Sequence, residues 1–178
     1  MATIRVLERK RKYMWPEAQL NLWLIVMIAT AATILGINIY FMVVQARFHL
    51  GVPWIFPYSI ATASITLLFL LILLGLIQAR QLLPGLVLLL SFILFVLFLT
   101  GLIETSIQLY GPTGSVNSNC NIYPKASGTG DTQATLAYLE TLGICNDWKA
   151  LFAFWIVGTV FLIWMMVMSY QVNRDDFE

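Results

Sequence analysis

The chain has 178 residues, and its composition excludes a water-soluble domain. Hydrophobic residues make up 60% of it and charged residues only 11%, whereas soluble domains carry about 45–50% apolar and about 25% charged residues. The net charge is only +1, so the chain has no extended basic surface for a nucleic acid. The partners that this composition predicts are membrane lipids and other integral membrane proteins.

Four long apolar segments predict four membrane-spanning helices. A span needs about 20 residues, because the hydrocarbon core is about 30 Å thick and a helix rises 1.5 Å per residue. Each span must be helical, since lipid offers the backbone no hydrogen-bond partners. The sequence predicts an all-α membrane protein, a four-helix transmembrane bundle over residues 20–170 with spans at 20–44, 58–77, 84–109 and 149–170.

The N-terminal segment, residues 1–19, is basic and precedes an apolar run that is too long for a signal peptide, whose apolar region has about 7–15 residues. The positive-inside rule keeps such a cluster in the cytosol. Five basic residues lie in this segment: Arg5, Arg9, Lys10, Arg11 and Lys12. Together with Arg80 and Arg174, they put seven basic residues on one side against three on the other, Arg47, Lys125 and Lys149. We therefore expect both termini, including the tail at 171–178, in the cytosol.

The same basic cluster has a second interpretation. Arg9, Lys10, Arg11 and Lys12 are candidates for contact with anionic lipids, which attract each basic residue near the surface by about 1 kcal/mol. The alternative is that they determine topology alone.

The outer loop between the third and fourth spans, residues 110–148, holds both cysteines of the chain. An oxidising compartment favours a disulfide, and neither a CxxC spacing nor additional ligands supports a metal or redox site. We predict a Cys120–Cys145 bridge, which removes about 3–4 kcal/mol of unfolded-chain entropy. Between the cysteines, the leucine spacing from Thr132 predicts a short amphipathic helix that Gly143 ends. His49 is the only histidine, and no metal site or cofactor is predicted.

A layer of polar residues is predicted in the outer leaflet around Glu104, the one acidic residue well inside a span. A carboxylate in lipid is costly and usually faces the bundle interior. The predicted layer contains Asn38, Thr62, Thr100, Glu104, Gln108 and Lys149. One interpretation is an interhelical hydrogen-bond layer with an ion pair from Glu104 to Lys149 or Arg47. The other is a small site for an ion, a proton or a lipid headgroup. The inner halves of the spans offer no polar path.

The last span carries a bulky surface that is a candidate for lateral contact. It consists of Trp155, Phe161, Trp164, Met165 and Met168. Bulky apolar side chains on a span ordinarily face lipid, and on a bundle this small they could also form the docking face for another membrane protein. Both interpretations place these side chains on the outside of the bundle.

The segment CNDWKALFAFW, from Cys145 to Trp155, together with the predicted topology, resembles the MARVEL-domain proteins, particularly small fungal ones. That resemblance implies a non-enzymatic protein that organises membrane subdomains or accompanies larger complexes. The function expected is a membrane-organising scaffold that contacts lipid, other membrane proteins or further copies of itself. The alternative is an accessory subunit of a cell-wall polymer synthase or a proton-pumping ATPase. The expected location is the secretory route, with the plasma membrane as its end point.

Overall fold

A computed structural model describes residue 15 and residues 17–47, 51–79, 83–111, 116–122 and 132–175. Within these ranges the chain forms five helices and no strand: α1 (Glu17–Arg47), α2 (Ile55–Gln78), α3 (Pro84–Tyr110), α4 (Val116–Ile122) and α5 (Thr132–Asp175). The predicted all-α fold class is confirmed. The candidate lipid-binding residues Arg9, Lys10, Arg11 and Lys12 lie outside the described residues.

Four helical stretches are long and apolar enough to cross a membrane. They are Ala18–Arg47, Ile55–Gln78, Pro84–Tyr110 and Gly143–Arg174. With 24 to 32 residues each, all exceed the length of about 20 residues that the hydrocarbon core requires. The chain is therefore an integral membrane protein with four spans, as the sequence predicts.

The helix ends follow local chemistry. α3 begins at Pro84, which needs no N–H partner there and whose fixed φ suits the first turn. α2 begins at Ile55, three residues earlier than predicted, and Pro57 lies in its first turn, where the missing N–H removes no helical bond. α3 ends as the Gly111 N–H donates to the carbonyl of Ile107 at 2.8 Å.

α5 differs from the prediction, because one continuous helix of 44 residues replaces a short loop helix and a separate span. Gly143 does not end the first part, and the helix passes straight through it. A glycine inside a helix costs only about 1 kcal/mol relative to alanine, and no proline occurs in this range. At 1.5 Å per residue α5 is about 66 Å long, so it extends well beyond the hydrocarbon core.

The long helices form a ring in the order α1, α2, α3, α5. α3 and α5 pack most extensively, α1 contacts both α2 and α5, and α2 packs least against α3. The pairs α1 with α3 and α2 with α5 lie across the ring and make no close backbone approach. The short α4 contacts α3 and α5. We call the end of the bundle that carries α4 the outer end.

Two glycines explain the close packing of α3 on α5. The indole of Trp155 lies directly over Gly101, and the ring of Phe98 lies over Gly158. The two rings meet edge to face with centroids 4.9 Å apart. Each helix therefore supplies one aromatic side chain and one glycine, and the pair interlocks near the middle of both spans. Small residues serve membrane helices in this way by letting backbones approach.

Candidate functional site

The predicted disulfide is present. Cys120 of α4 and Cys145 of α5 are bonded, with Cα atoms 5.9 Å apart and 25 residues between them in sequence. Both residues are buried or nearly so. The bond ties α4 to the outer part of α5, so the segment between the third and fourth spans is closed covalently, as predicted.

Three aromatic rings fill the outer end of the bundle next to this disulfide. Trp148, one turn after Cys145, stacks on Phe41 at 5.5 Å and meets Phe56 at 6.0 Å, and the two phenylalanines are 5.6 Å apart. They come from α5, α1 and α2 respectively, so one cluster joins three helices. Aromatic pairs at such distances contribute about 0.5–1.5 kcal/mol beyond the area they bury.

The predicted polar layer divides into two groups. Asn38 and Thr62 are fully buried among the helices, as expected. Thr100, Gln108 and Lys149 are exposed instead, so the expectation that this part of the layer faces the bundle is wrong. The reason is angular: successive residues turn by 100°, and the buried stripe of α3 runs through Gly101, Thr105 and Leu109, beside the stripe of Thr100, Glu104 and Gln108.

Thr105 is the buried polar residue in the outer half of α3 that the sequence-based layer misses. Its hydroxyl donates to the carbonyl of Gly101 at 2.7 Å, one turn back in the same helix. Asn38 likewise donates to the carbonyl of Ile34 at 2.7 Å. Thr105 is thus satisfied on its own helix, whereas the Asn38 Oδ1 atom is buried with no hydrogen-bond partner among the described residues. The position of both residues on the buried face is set by packing rather than by any local sequence signal.

Glu104 is half-buried at the edge of α3. One of its carboxylate oxygens accepts a hydrogen bond from the Gln108 amide at 3.2 Å. Neither Lys149 nor Arg47 pairs with it: both are exposed, and the part of the chain that the structure describes contains no ion pair to this carboxylate. The predicted ion pair is therefore wrong: Arg47 is the last residue of α1, Lys149 lies within α5, and both side chains are exposed to the surroundings of the bundle.

The outer end of α2 flanks the same edge of α3. The hydroxyl of Tyr58 donates to the carbonyl of Leu97 at 2.9 Å across the two helices. Trp54, one turn before Tyr58, packs against it edge to face at 5.7 Å and is 55% exposed. Leu97 and Glu104 are seven residues apart and thus share one side of α3. We call the region bounded by Trp54, Tyr58, Thr100, Glu104 and Gln108 the outer seam.

The predicted lateral-contact face on α5 is wrong for three of its five residues. Trp155, Met165 and Met168 are buried in the core, while Phe161 and Trp164 are half-buried against it. α5 packs on both α3 and α1, which leaves only a narrow side facing lipid. The exposed side chains of α5 are smaller or peripheral: Ile156, Val160, Ile163, Val167 and Tyr170.

Trp23 of α1 shows how the bulky side of α5 is covered. Its indole N–H donates to the carbonyl of Phe161 on α5, at 2.6 Å, and Trp23 is itself fully buried. A tryptophan that donates to the backbone of a neighbouring helix both fills space and fixes the register between α1 and α5. The backbone of Phe161 is thus bound to α1, and the side chains of Phe161 and Trp164 are half-buried against the core rather than forming a free docking surface.

Buried hydroxyl groups are more widely spread than the sequence-based layer predicts. Ser91 and Ser169 are fully buried in the inner halves of α3 and α5, and Thr30 and Thr159 are buried near the middle. The interior is nevertheless filled at mid-depth by large apolar side chains, among them Trp155, Phe98, Met27 and Ile34. Among the described residues, the buried hydroxyls are therefore separated by packed apolar side chains and do not line a continuous passage.

Comparison with known proteins gives no match, whether with family models, with curated proteins or with solved structures. The fold and the site define the class at this point: an integral membrane protein whose four-helix bundle is closed at its outer end by a disulfide. Among the described residues, no group of three or more His, Cys, Asp or Glu side chains is placed to hold a metal ion.

Proposed function

We propose that this protein is a non-enzymatic membrane organiser of the MARVEL type, which acts through lateral contacts of its helices with lipid and with other membrane proteins. The observation that carries the proposal is the filled interior. Trp155 and Phe98 occupy the middle of the bundle, where a transporter would instead keep polar residues and interrupted helices.

The outward faces of the helices are what such a bundle offers to its surroundings. Large apolar side chains are exposed on the middle part of α2, from Ile65 to Ile72, and along most of α3, from Leu86 to Ile107. In a soluble protein an exposed apolar surface of this extent marks an interaction site. In a membrane it is solvated by lipid tails and remains available to other helices.

We also propose that the protein lies in the plasma membrane and that both of its termini are in the cytosol. The Cys120–Cys145 bond supports an oxidising compartment on the outer side. α5 crosses the membrane once after Cys145, and three spans precede Cys120. Both ends of the chain therefore belong on the side opposite to the disulfide, which agrees with the basic residues of the N-terminal segment.

Purification in a mild detergent tests the proposal. We expect the protein to elute as homo-oligomers or with membrane-domain lipids and with several partners in less than equal amounts. Stoichiometric co-elution with one large enzyme, such as a polymer synthase or a proton-pumping ATPase, would instead establish the accessory-subunit function. The variant Ile163→Trp changes a side chain on the exposed side of α5, so it alters lateral contacts without entering the core. Trp164→Ala is the comparison variant on the side of α5 that packs against the core.

A further inference from the structure

We propose that the outer seam binds the ammonium headgroup of a zwitterionic phospholipid, with the Glu104 carboxylate as its counter-ion. This inference goes beyond the proposed function, which requires lateral contacts but no defined lipid site. It rests on the charge, depth and neighbours of Glu104. Failure of the test below would leave the membrane-organiser proposal intact, because the purification experiment does not depend on this residue.

At its depth in the membrane, the Glu104 carboxylate requires a positively charged partner. α3 has 27 residues, so its middle lies near residue 97, and Glu104 is seven residues, or about 10 Å, towards the outer end. The hydrocarbon half-thickness is about 15 Å, which places the Glu104 backbone about 5 Å inside the boundary with the headgroups. At that depth a carboxylate reaches the headgroup layer with its tip, where an ammonium group can meet it.

The described part of the protein gives this carboxylate no positively charged partner. Its recorded partner is the neutral amide of Gln108, and neither Arg47 nor Lys149 reaches it. Charges inside a span are expected to be paired, so a positive group from outside the bundle completes the site. A second copy of the chain meeting it face to face would bring another Glu104, and two carboxylates would repel each other.

The aromatic neighbours favour a quaternary or primary ammonium group. Trp54 and Tyr58 flank the seam on the α2 side, and Trp54 is more than half exposed. Aromatic faces are what proteins use to hold choline-like cations. Trp54 directly precedes α2 at its outer end, where tryptophan accompanies lipid headgroups, while the Tyr58 hydroxyl reaches inward to the carbonyl of Leu97, about two turns from Glu104.

The surface that extends from the outer seam towards the inner end of the bundle suits acyl chains rather than a polar partner. Ile65 and Ile72 lie seven and fourteen residues after Tyr58, on the same side of α2, and both are about half exposed. Ile93 lies eleven residues before Glu104 on the corresponding side of α3 and is also exposed. Because α2 and α3 pack least closely of the neighbouring helices, lipid tails can lie along this apolar continuation.

Native mass spectrometry of the purified full-length protein tests the site, with phosphatidylcholine, phosphatidylethanolamine and phosphatidylglycerol as probes. We expect both ammonium lipids to bind, and phosphatidylglycerol, which has no cation, to bind at least about tenfold more weakly. Glu104→Gln keeps the size of the side chain and its contact with Gln108. This variant is expected to weaken the binding of the two ammonium lipids by the same factor. Asp147→Asn removes an outer acid on α5, across the ring from α2, and is expected to change nothing.

Two further measurements make the assignment specific. Trp54→Ala is expected to weaken the binding of phosphatidylcholine more than the binding of phosphatidylethanolamine, because the cation–π contact matters most for the quaternary ammonium group. A photo-crosslinking amino acid at position 100 is expected to capture lipid in native membranes. Equal binding of all three lipids, or no loss in Glu104→Gln at an unchanged melting temperature, would overturn the site. Capture of a protein at position 100 instead of lipid would also overturn it.

Discussion

At the scale of single residues, glycines that look alike in sequence have very different roles. Gly101 and Gly158 are covered by the aromatic rings of Trp155 and Phe98, whereas Gly36 and Gly75 have open space where a side chain would be. The difference depends entirely on what the neighbouring helix places above each glycine.

Gly101→Ala and Gly158→Ala are expected to destabilise the bundle by about 1–3 kcal/mol each. A methyl group at position 101 would lie 2.6–2.8 Å from the Trp155 ring, and one at position 158 would overlap the Phe98 ring. Thermal unfolding in detergent measures the change. Gly36→Ala is the matched control and should be neutral or slightly stabilising, since alanine is the better helix former. Equal melting temperatures for all three variants would contradict the interlock.

Ser91 gives a second residue-scale prediction. Its hydroxyl is fully buried and has no hydrogen-bond partner among the described residues. Because an unpaired buried hydroxyl costs free energy, Ser91→Ala should leave the free energy of unfolding unchanged or raise it by up to about 1 kcal/mol. Thr105→Ala, which removes a satisfied hydroxyl and a methyl group, should lower it. Clear destabilisation by Ser91→Ala would show that the hydroxyl has a partner, such as a buried water.

At the scale of elements, α5 links the disulfide to the membrane. Because the helix is continuous through Gly143, the position of Cys145 relative to Trp148 and the core is fixed by helical geometry. A break at this point would separate the outer part of α5 from the span.

Gly143→Pro tests the continuity of α5. Proline in a helix interior costs about 3 kcal/mol or more and breaks the hydrogen-bond ladder, so we expect loss of helical signal in circular dichroism and a lower melting temperature. Gly143→Ala, for which the site has open space, should stabilise the helix by up to about 1 kcal/mol. If Gly143→Pro has no effect on either measurement, the two parts of α5 are separate helices, as the sequence pattern predicts.

The disulfide gives the second element-scale prediction. Replacing both Cys120 and Cys145 by serine should lower stability by about 3 kcal/mol, since the bond closes a loop of about 25 residues. Thermal unfolding of the double variant, compared with the oxidised and the reduced wild type, provides the measurement. The reduced wild type should match the double variant. A reduced protein as stable as the oxidised one would mean that α4 and α5 hold together without the bond.

At the scale of the whole molecule, the proposed topology puts both termini on the side opposite to the disulfide. A fluorescent tag on either end should therefore be protected from an impermeant quencher added outside intact cells, while a short epitope inserted at residue 126 should be accessible. The even number of spans requires both termini to behave alike. A terminus accessible from the outside would contradict the topology and the expected cytosolic location together.

The amino-acid sequence by itself determined the number and position of the spans and the cysteine pairing. Long apolar runs must be helical in lipid, and two cysteines in one outer segment have no other thiol with which to pair. These conclusions depend only on composition along the chain, which is why Pro84 and Tyr110 bound α3 within a residue of its predicted limits.

Only the tertiary structure decided which side chains face inwards. In a soluble helix the buried face is apolar and the other polar, but in lipid both faces are apolar, so sequence does not distinguish them. Trp155 and Met165, expected on the surface, therefore proved to be core residues, and Thr100 proved to be exposed. The continuity of α5 through Gly143 likewise appears only in the structure, because one glycine costs a helix no more than about 1 kcal/mol and does not by itself decide whether the helix ends.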